Sequence, residues 1–342
     1  MGARRLMKSK TQRHEATLKD VGEAWFIRAC MRLFKKKQRY VALGVGDDAA
    51  VVQCKEQHMV VSCDMLVEGE DFDGAYTSWK DVGVKAASVN LSDLAAMGAT
   101  PRALCVAVAV SENTCANNVL QMLQALHKQG LSFGAPVVGG DVSRTQGPCV
   151  VTVTAMGVCE SRTLQRHKAQ VGDVVMVGGV LGASACGMAV LQKKVVLKKG
   201  TQFLVQQHLR PQPQVALGQF LAREQGVTSC VDVSDGLAKE ALLLPAHGGV
   251  QLNPQALPIP KEVEKVCALL GKDPIETALT GGEDFVLACT VKPHCVETLL
   301  KQAQQKNLFL QPVGHVVEKK GLWLEGHSKR YRGKAFEHFQ KG

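Results

Sequence analysis

Hydrophobic positions in this chain recur with two periods, and the changes from one to the other mark out its elements. Over Val21–Phe34 the apolar residues Trp25, Phe26, Ala29, Cys30 and Leu33 fall on one side of a helix. The Lys35–Arg39 cluster closes that helix with charge suited to a C-terminus. Short apolar runs predict strands at Ala49–Gln53, Met59–Cys63, Leu104–Val110 and Cys149–Val158. Between them Trp79–Met97 reads as a long helix stopped by Gly98 and Pro101, and Asn117–Gln129 as another. Beyond residue 160 the pattern resumes with a strand at Val174–Val177, a helix, a strand at Thr228–Val233, a helix at Leu237–Leu244, and strands around Phe285–Val291 and Leu308–Val313. Strands alternating with helices predict an α/β chain of layered domains.

Composition narrows this picture. At 342 residues and 46% hydrophobic content the chain can bury a sizeable core, and its length favours two domains. Aromatics make up only 5%, so Val, Ala and Leu must build that core. The longest uncharged run, Val174–Leu191, has the length of a membrane span, but Gly178, Gly179, Gly182 and Gly187 break it into strand, turn and helix. The net charge of +10 resides mostly in residues 1–40, which hold 12 Lys and Arg against 3 Asp and Glu. The remainder is nearly neutral and lacks a basic face interleaved with aromatics, which argues against nucleic acid. Twelve scattered cysteines form no CxxC and read as small buried hydrophobes in a reducing cytoplasm. The start, MGARRLMKSKTQRH, has no apolar core, so residues 1–20 are read as a basic extension and not as a secretory signal.

The candidate chemistry is acidic. Asp48, Asp64, Asp93, Asp141, Asp232 and Asp235 stand in turn or cap contexts within the strings GVGDDAAVV, VVSCDMLVEGEDF, NLSDLAAMGATPR, VVGGDVSR and VDVSDGLA, a pattern that points to magnesium and polyphosphate. In the helix Trp79–Met97, Asn90 and Asp93 interrupt a face that also carries Ala86 and Met97, and buried polar residues need partners. In VDVSDGLA a strand ends at Val233 and a helix begins near Leu237, so Asp232, Ser234 and Asp235 cluster where orphan backbone N–H groups attract phosphate. Capping accounts for Ser234 or Asp235, but not for all three. Alone, GDD is a turn signal, Arg166 reads equally as a surface charge, and Phe336 equally as a core plug.

Together with TGGEDFVL, and in this order from about Val21 to Phe339, these strings resemble the thiamine-monophosphate kinase family, part of the superfamily that includes aminoimidazole ribonucleotide synthetase. The resemblance implies a two-domain synthetase-like fold, with domains over 21–160 and 161–342 and the first domain pairing with its copy in a homodimer. It implies Mg²⁺ ions on Asp48, Ser62, Asp64, Asp93, Asp141, Asp232 and Asp235, with Asp93, Asp141 and Asp235 as catalytic carboxylates. It implies ATP contacts at Gly140, Asp141, Arg166 and Ser234, the glycine allowing a phosphate to approach the backbone. Glu283 and Phe336 match positions that meet the substrate, the acid facing a cationic thiazolium ring. The implied reaction is in-line transfer of the ATP γ-phosphoryl group to thiamine monophosphate, giving thiamine diphosphate in the cytoplasm, with neither nucleic acid nor membrane as partner. Cys63 and Asp71 depart from the family pattern, which has threonine and a substrate-contacting histidine there. Rival readings are another ATP-using member of the superfamily, or a nucleotide- or thiamine-phosphate-binding protein without catalysis.

Overall fold

The computed structural model describes residues 41–43, 47–54, 57–160, 162–193, 195 and 200–333, with Trp25 and Arg28 as isolated positions before them. Phe336, the extension over residues 1–20 and, apart from those two positions, the expected helix Val21–Phe34 lie outside the described residues.

The first sheet consists of β1 (Val41–Leu43), β2 (Ala50–Cys54), β3 (Gln57–Val67), β4 (Thr100–Val110), β5 (Val137–Arg144) and β6 (Val150–Cys159), in the order β1-β2-β3-β6-β4-β5. β3 and β6 form its longest antiparallel ladder, from His58 opposite Cys159 to Val67 opposite Val150; only β4 and β5 run parallel. Alternation along β6 turns Val151, Val153, Ala155 and Cys159 inward, where α1 (Trp79–Ala96) and α2 (Ala116–Ser132) cover one face of the sheet. Cys63, Met65, Ala107 and Asp141 are exposed on the other face, which among the described residues is open. β5 runs through Gly139-Gly140-Asp141 as an edge strand, with Val138 and Val142 exposed.

The second sheet contains β7 (Val174–Gly178), β8 (Val227–Val233), β9 (Gly249–Leu252), β10 (Val286–Val291), β11 (Gln311–Val317) and β12 (Gly321–Leu324), in the order β12-β9-β11-β7-β10-β8. Every residue of β7 and β10 is buried, which explains their unbroken apolar sequences VVMVG and VLACTV. One face packs Val175, Val177, Val231 and Ala288 in a core with α6 (Leu237–Glu240) and α8 (Pro274–Thr280). The other face packs Met176, Cys230, Leu287 and Cys289 with α5 (Val215–Arg223) and α9 (Val296–Gln305). The remaining described helices are α3 (Ala183–Lys193), α4 (Thr201–Leu209) and α7 (Lys261–Leu270). Two expected elements are shifted. The helix over Leu237–Leu244 is α only through Glu240 and then tightens into a 3₁₀ turn, and the strand near Leu308 starts at Gln311 because Leu308 and Leu310 pack into the core without joining the ladder.

α1 joins the halves. Its buried residues include Val82, Lys85, Ala87, Val89, Asn90, Ser92 and Ala95, which together leave almost no solvent face. Ala95 and Ala96 belong to the core of the second sheet, and Gly218 on α5 comes so close that a β-carbon there would stand 1.9 Å from the Ala95 carbonyl oxygen. Among the described residues no helix is long and apolar enough to cross a membrane.

Candidate active site

Four segments converge beside the C-terminal half of α1. The bend before β2 brings Asp48, α1 brings Asp93, and the end of β8 brings Asp232, and one carboxylate oxygen from each lies within 4.8 Å of the others. β3 adds Ser62, which donates to Asp93 Oδ2, and Asp64, whose N–H donates to Asn90 Oδ1 at 2.9 Å. Ser92 Oγ crosses between the domains to donate to Asp232 Oδ2 at 2.7 Å. Strand alternation separates these residues from Cys63, whose Sγ meets Thr154 Oγ1 at 3.3 Å on the open face. The departure at Cys63 therefore removes no side-chain ligand from the cluster.

Packing carboxylates together disfavours their ionised forms. Asp48 is pushed well above the usual carboxylate range by burial foremost, and by Asp232 and Asp47, against the pull of Arg166. Asp93 is raised by burial and then by Asp64, Asp232 and Asp48. Asp64, whose side chain still reaches solvent, is raised to about 6 by partial desolvation of its carboxylate and by Asp232. Asp232 is raised by burial in spite of Ser92 and Arg166, and burial with Asp235 and Asp232 lifts Glu240 to about 9.

One cation already answers part of this charge. The Arg166 guanidinium pairs with Asp48 Oδ1, and its backbone N–H donates to Asp47 Oδ2 at 3.0 Å. Asp48 Oδ2 and Arg166 Nε are nevertheless buried without a hydrogen-bond partner. An orphaned carboxylate oxygen beside two further carboxylates and a hydroxyl is a set of hard oxygen donors, so the residues present fit Mg²⁺.

The 232–236 turn delivers Asp235 and Ser234. Gly236, with φ +112°, occupies the N-cap of α6 and makes no side-chain cap, so neither Ser234 nor Asp235 is used for capping. Asp235 pairs with Lys239 at 2.5 Å, and its charge reaches Asp64, Asp232 and Glu240.

Asp141 is not brought to this cluster. Across the sheet, Asp64 aligns with Val153, Val106 and Gly140, three strand spacings or about 14 Å away. Asp141 belongs to the next row, on the open face with Met65. Gly140 has a reason other than a phosphate for lacking a side chain: a β-carbon would stand 1.9 Å from the Val106 carbonyl oxygen. Asp71 turns back on its own loop, Oδ2 accepting from Val67 N–H at 2.7 Å.

Family models for AIR synthase related proteins match the chain twice, the N-terminal domain over residues 46–159 and the C-terminal domain over 170–326. The thiamine-monophosphate kinase of Rhodopirellula baltica is 32% identical over 293 residues, covering 83% of this chain and 86% of the relative. That of Synechococcus elongatus is 33% identical, covering 89% and 91%. The chain belongs to the thiamine-monophosphate kinase family. Among solved structures, AaThiL complexed with AMPPCP and TMP superposes with a TM-score of 0.84 at 28% identity, covering 95% of this chain and 99% of that one.

Within this family frame, sequence reasoning missed the residues that hold the carboxylates in place. Ser92 was hidden because a serine beside an aspartate on a helix carries no signal of its own. Lys85 meets Glu283 at 2.5 Å, and Glu283 also takes His208 Nδ1 at 3.2 Å. Burial alone would raise Glu283, but the Lys85 charge and the His208 hydrogen bond outweigh it and hold it at about 2.

Proposed function

We propose that this chain transfers the γ-phosphoryl group of ATP to thiamine monophosphate, giving thiamine diphosphate and ADP. The observation that carries the reading is the Asp48, Asp93 and Asp232 cluster, assembled from both halves of a chain with full-length resemblance to thiamine-monophosphate kinases. A terminal phosphate oxygen of the acceptor attacks the γ-phosphorus and the bond to the ADP oxygen breaks. The acceptor phosphate, with a second pKa of about 6, is largely ionised at pH 7, so no base has to remove a proton. That agrees with a site whose buried histidine, His208, is already held by Glu283 and by Ser184 Oγ at 3.1 Å.

Asp48, Ser62, Asp64, Asp93, Asp232 and Asp235 are the residues that would hold Mg²⁺, which supplies charge neutralisation for two anionic phosphates that otherwise repel. Arg166 holds Asp48 in place, and Ser92 holds Asp232. Ser234 lies in the turn where a nucleotide phosphate is expected. Asp141 and Gly140, expected to meet metal and nucleotide, lie outside this cluster and are given no role in it. The open face of the first sheet, with Met65 and Asp141, is the surface on which two copies would pair in a homodimer. The compartment that suits these free thiols is the cytoplasm.

The deciding experiment incubates the protein with ATP, Mg²⁺ and thiamine monophosphate and separates the products. Thiamine diphosphate and ADP in equal amounts support the reading, and ATP consumption without thiamine diphosphate overturns it. Sedimentation of the same protein tests the dimer, a monomer at micromolar concentration counting against it.

A further inference from the structure

Lys85 lies eight residues before Asp93 on α1 and is 1% exposed. A buried ammonium persists only when it is paired, and the partners of Lys85 come from both halves of the molecule. Its Nζ donates to the Asp71 carbonyl at 2.8 Å in the first and meets Glu283 Oε1 at 2.5 Å in the second. His208, itself buried, takes the other Glu283 oxygen, so both carboxylate oxygens are committed.

Glu283 sits in a strained loop. Its φ is +65° and that of Phe285 is +48°, in the left-handed region that residues with a β-carbon avoid. Hydrogen bonds to adjoining segments hold it there. Glu283 N–H donates to the Ser234 carbonyl at 2.6 Å and Phe285 N–H to the Val233 carbonyl at 2.9 Å. Asp284 accepts from Gly182 N–H at 2.6 Å and from Ser184 N–H at 3.0 Å. The 281–285 loop is thus joined to the Asp232–Asp235 turn on one side and, through Glu283 and Lys85, to α1 on the other.

We propose that Lys85 is a positioning residue for phosphoryl transfer: through Glu283 it fixes the 281–285 loop and the adjoining 232–235 turn against α1, and so sets Asp232 and Asp235 at working distance from Asp93. For its activity readout this rests on the function proposed above. It also changes the role of Glu283, whose charge is balanced by Lys85 and is directed at holding the two domains in register more than at a cationic ring.

The test uses Lys85→Met, which keeps the length of the side chain and removes its charge, and the double variant Lys85→Met/Glu283→Gln, which leaves no orphaned carboxylate. Three quantities are read on each: kcat and KM for thiamine monophosphate, the Mn²⁺ dissociation constant by electron paramagnetic resonance without nucleotide, and the unfolding temperature. Lys85→Met is expected to lower kcat about 100-fold, the scale of a 1 Å misplacement, with KM within about twofold. Its Mn²⁺ dissociation constant rises about tenfold, because the carboxylates no longer hold their spacing. The double variant recovers the unfolding temperature, since no unpaired charge remains buried, but recovers neither kcat nor Mn²⁺ affinity. Recovery of both in the double variant would make the pair a structural ion pair only and overturn the proposal, as would wild-type kcat in Lys85→Met. Should the wild-type protein form no thiamine diphosphate, the functional reading fails by itself. The Mn²⁺ titration then still decides, and unchanged affinity in the variants overturns the positioning role.

Discussion

Near its C-terminal end α1 meets the second domain through Asp93 and Asp232, two carboxylates raised in pKa with an orphaned Asp48 oxygen beside them. Toward its N-terminal half it meets the same domain through Lys85 and Glu283, opposite charges 2.5 Å apart with a histidine completing the set. Two of the contacts that one helix makes across one domain boundary are therefore of opposite electrostatic character. The first is left with excess negative charge and has a use only when something cationic arrives. The second is self-sufficient and has a use only in holding. A binding site is recognisable here less by its residue types than by the sign of the uncompensated remainder.

The largest expected effect comes from removing one charge from the first contact. Asp93→Asn should lower turnover about 1000-fold, the loss seen when a main electrostatic group is deleted. In metal-free buffer it should raise the unfolding temperature, because a repelling carboxylate disappears. A calorimetric scan of the metal-free variant that shows destabilisation would mean the cluster is not strained, and the contrast with Lys85 and Glu283 would collapse.

The two contacts also respond oppositely to pH. Asp64 and Glu240 have folded pKa values of about 6 and about 9, above their unfolded values, so the stability they contribute is present in acid and is lost as pH rises through those values. Glu283, held at about 2, contributes stability present above pH 4.5 that is lost as pH falls toward 2. Unfolding temperatures of metal-free protein should therefore fall from pH 5 to pH 9, and saturating Mg²⁺ should raise them more at pH 8 than at pH 5. A Mg²⁺ effect independent of pH would argue that the ions bind elsewhere.

Smaller changes sharpen the boundary of the site. Asp71→His removes an acceptor for Val67 N–H and should destabilise by about 1 kcal/mol, with KM for thiamine monophosphate unchanged because the side chain faces its own turn. A lower KM in the histidine variant would place this position against the acceptor phosphate. Smallest of all is Cys63→Thr, on the open face of β3, for which steady-state kinetics should match the wild type. A gain in kcat would show that the residue reaches the cluster after all.

What the sequence revealed depended on how far each residue's role could be expressed locally. The apolar runs of β7 and β10 were legible because burial on both faces leaves no polar position to blur them. β9 and β12, four residues each, carried too few positions for a period to show. Asp48, Asp93 and Asp232 stood out as acidic residues inside glycine turns and apolar segments, yet nothing local said that three distant strings share a space less than 5 Å across. Glu283 was legible as an acid of interest, but its partner Lys85 lies 198 positions earlier on a helix where a lysine ordinarily reaches water. Asp141 was found by motif, and its place on an edge strand three strands from Asp64 could come only from the ladder registers.

Because α1 is enclosed on nearly every side, with Ala95 and Ala96 embedded in the core of the second sheet and Val82, Ala86 and Ala87 in that of the first, neither half has a complete interior without it. The chain is divisible as architecture but not as a thermodynamic object. Heat or denaturant should open both halves in one transition, with the amides of Val89–Leu94 among the last to exchange with deuterated solvent. Splitting the chain between residues 160 and 170 would leave the N-terminal piece with an alanine-lined scar, prone to self-association, in place of the surface it normally shares.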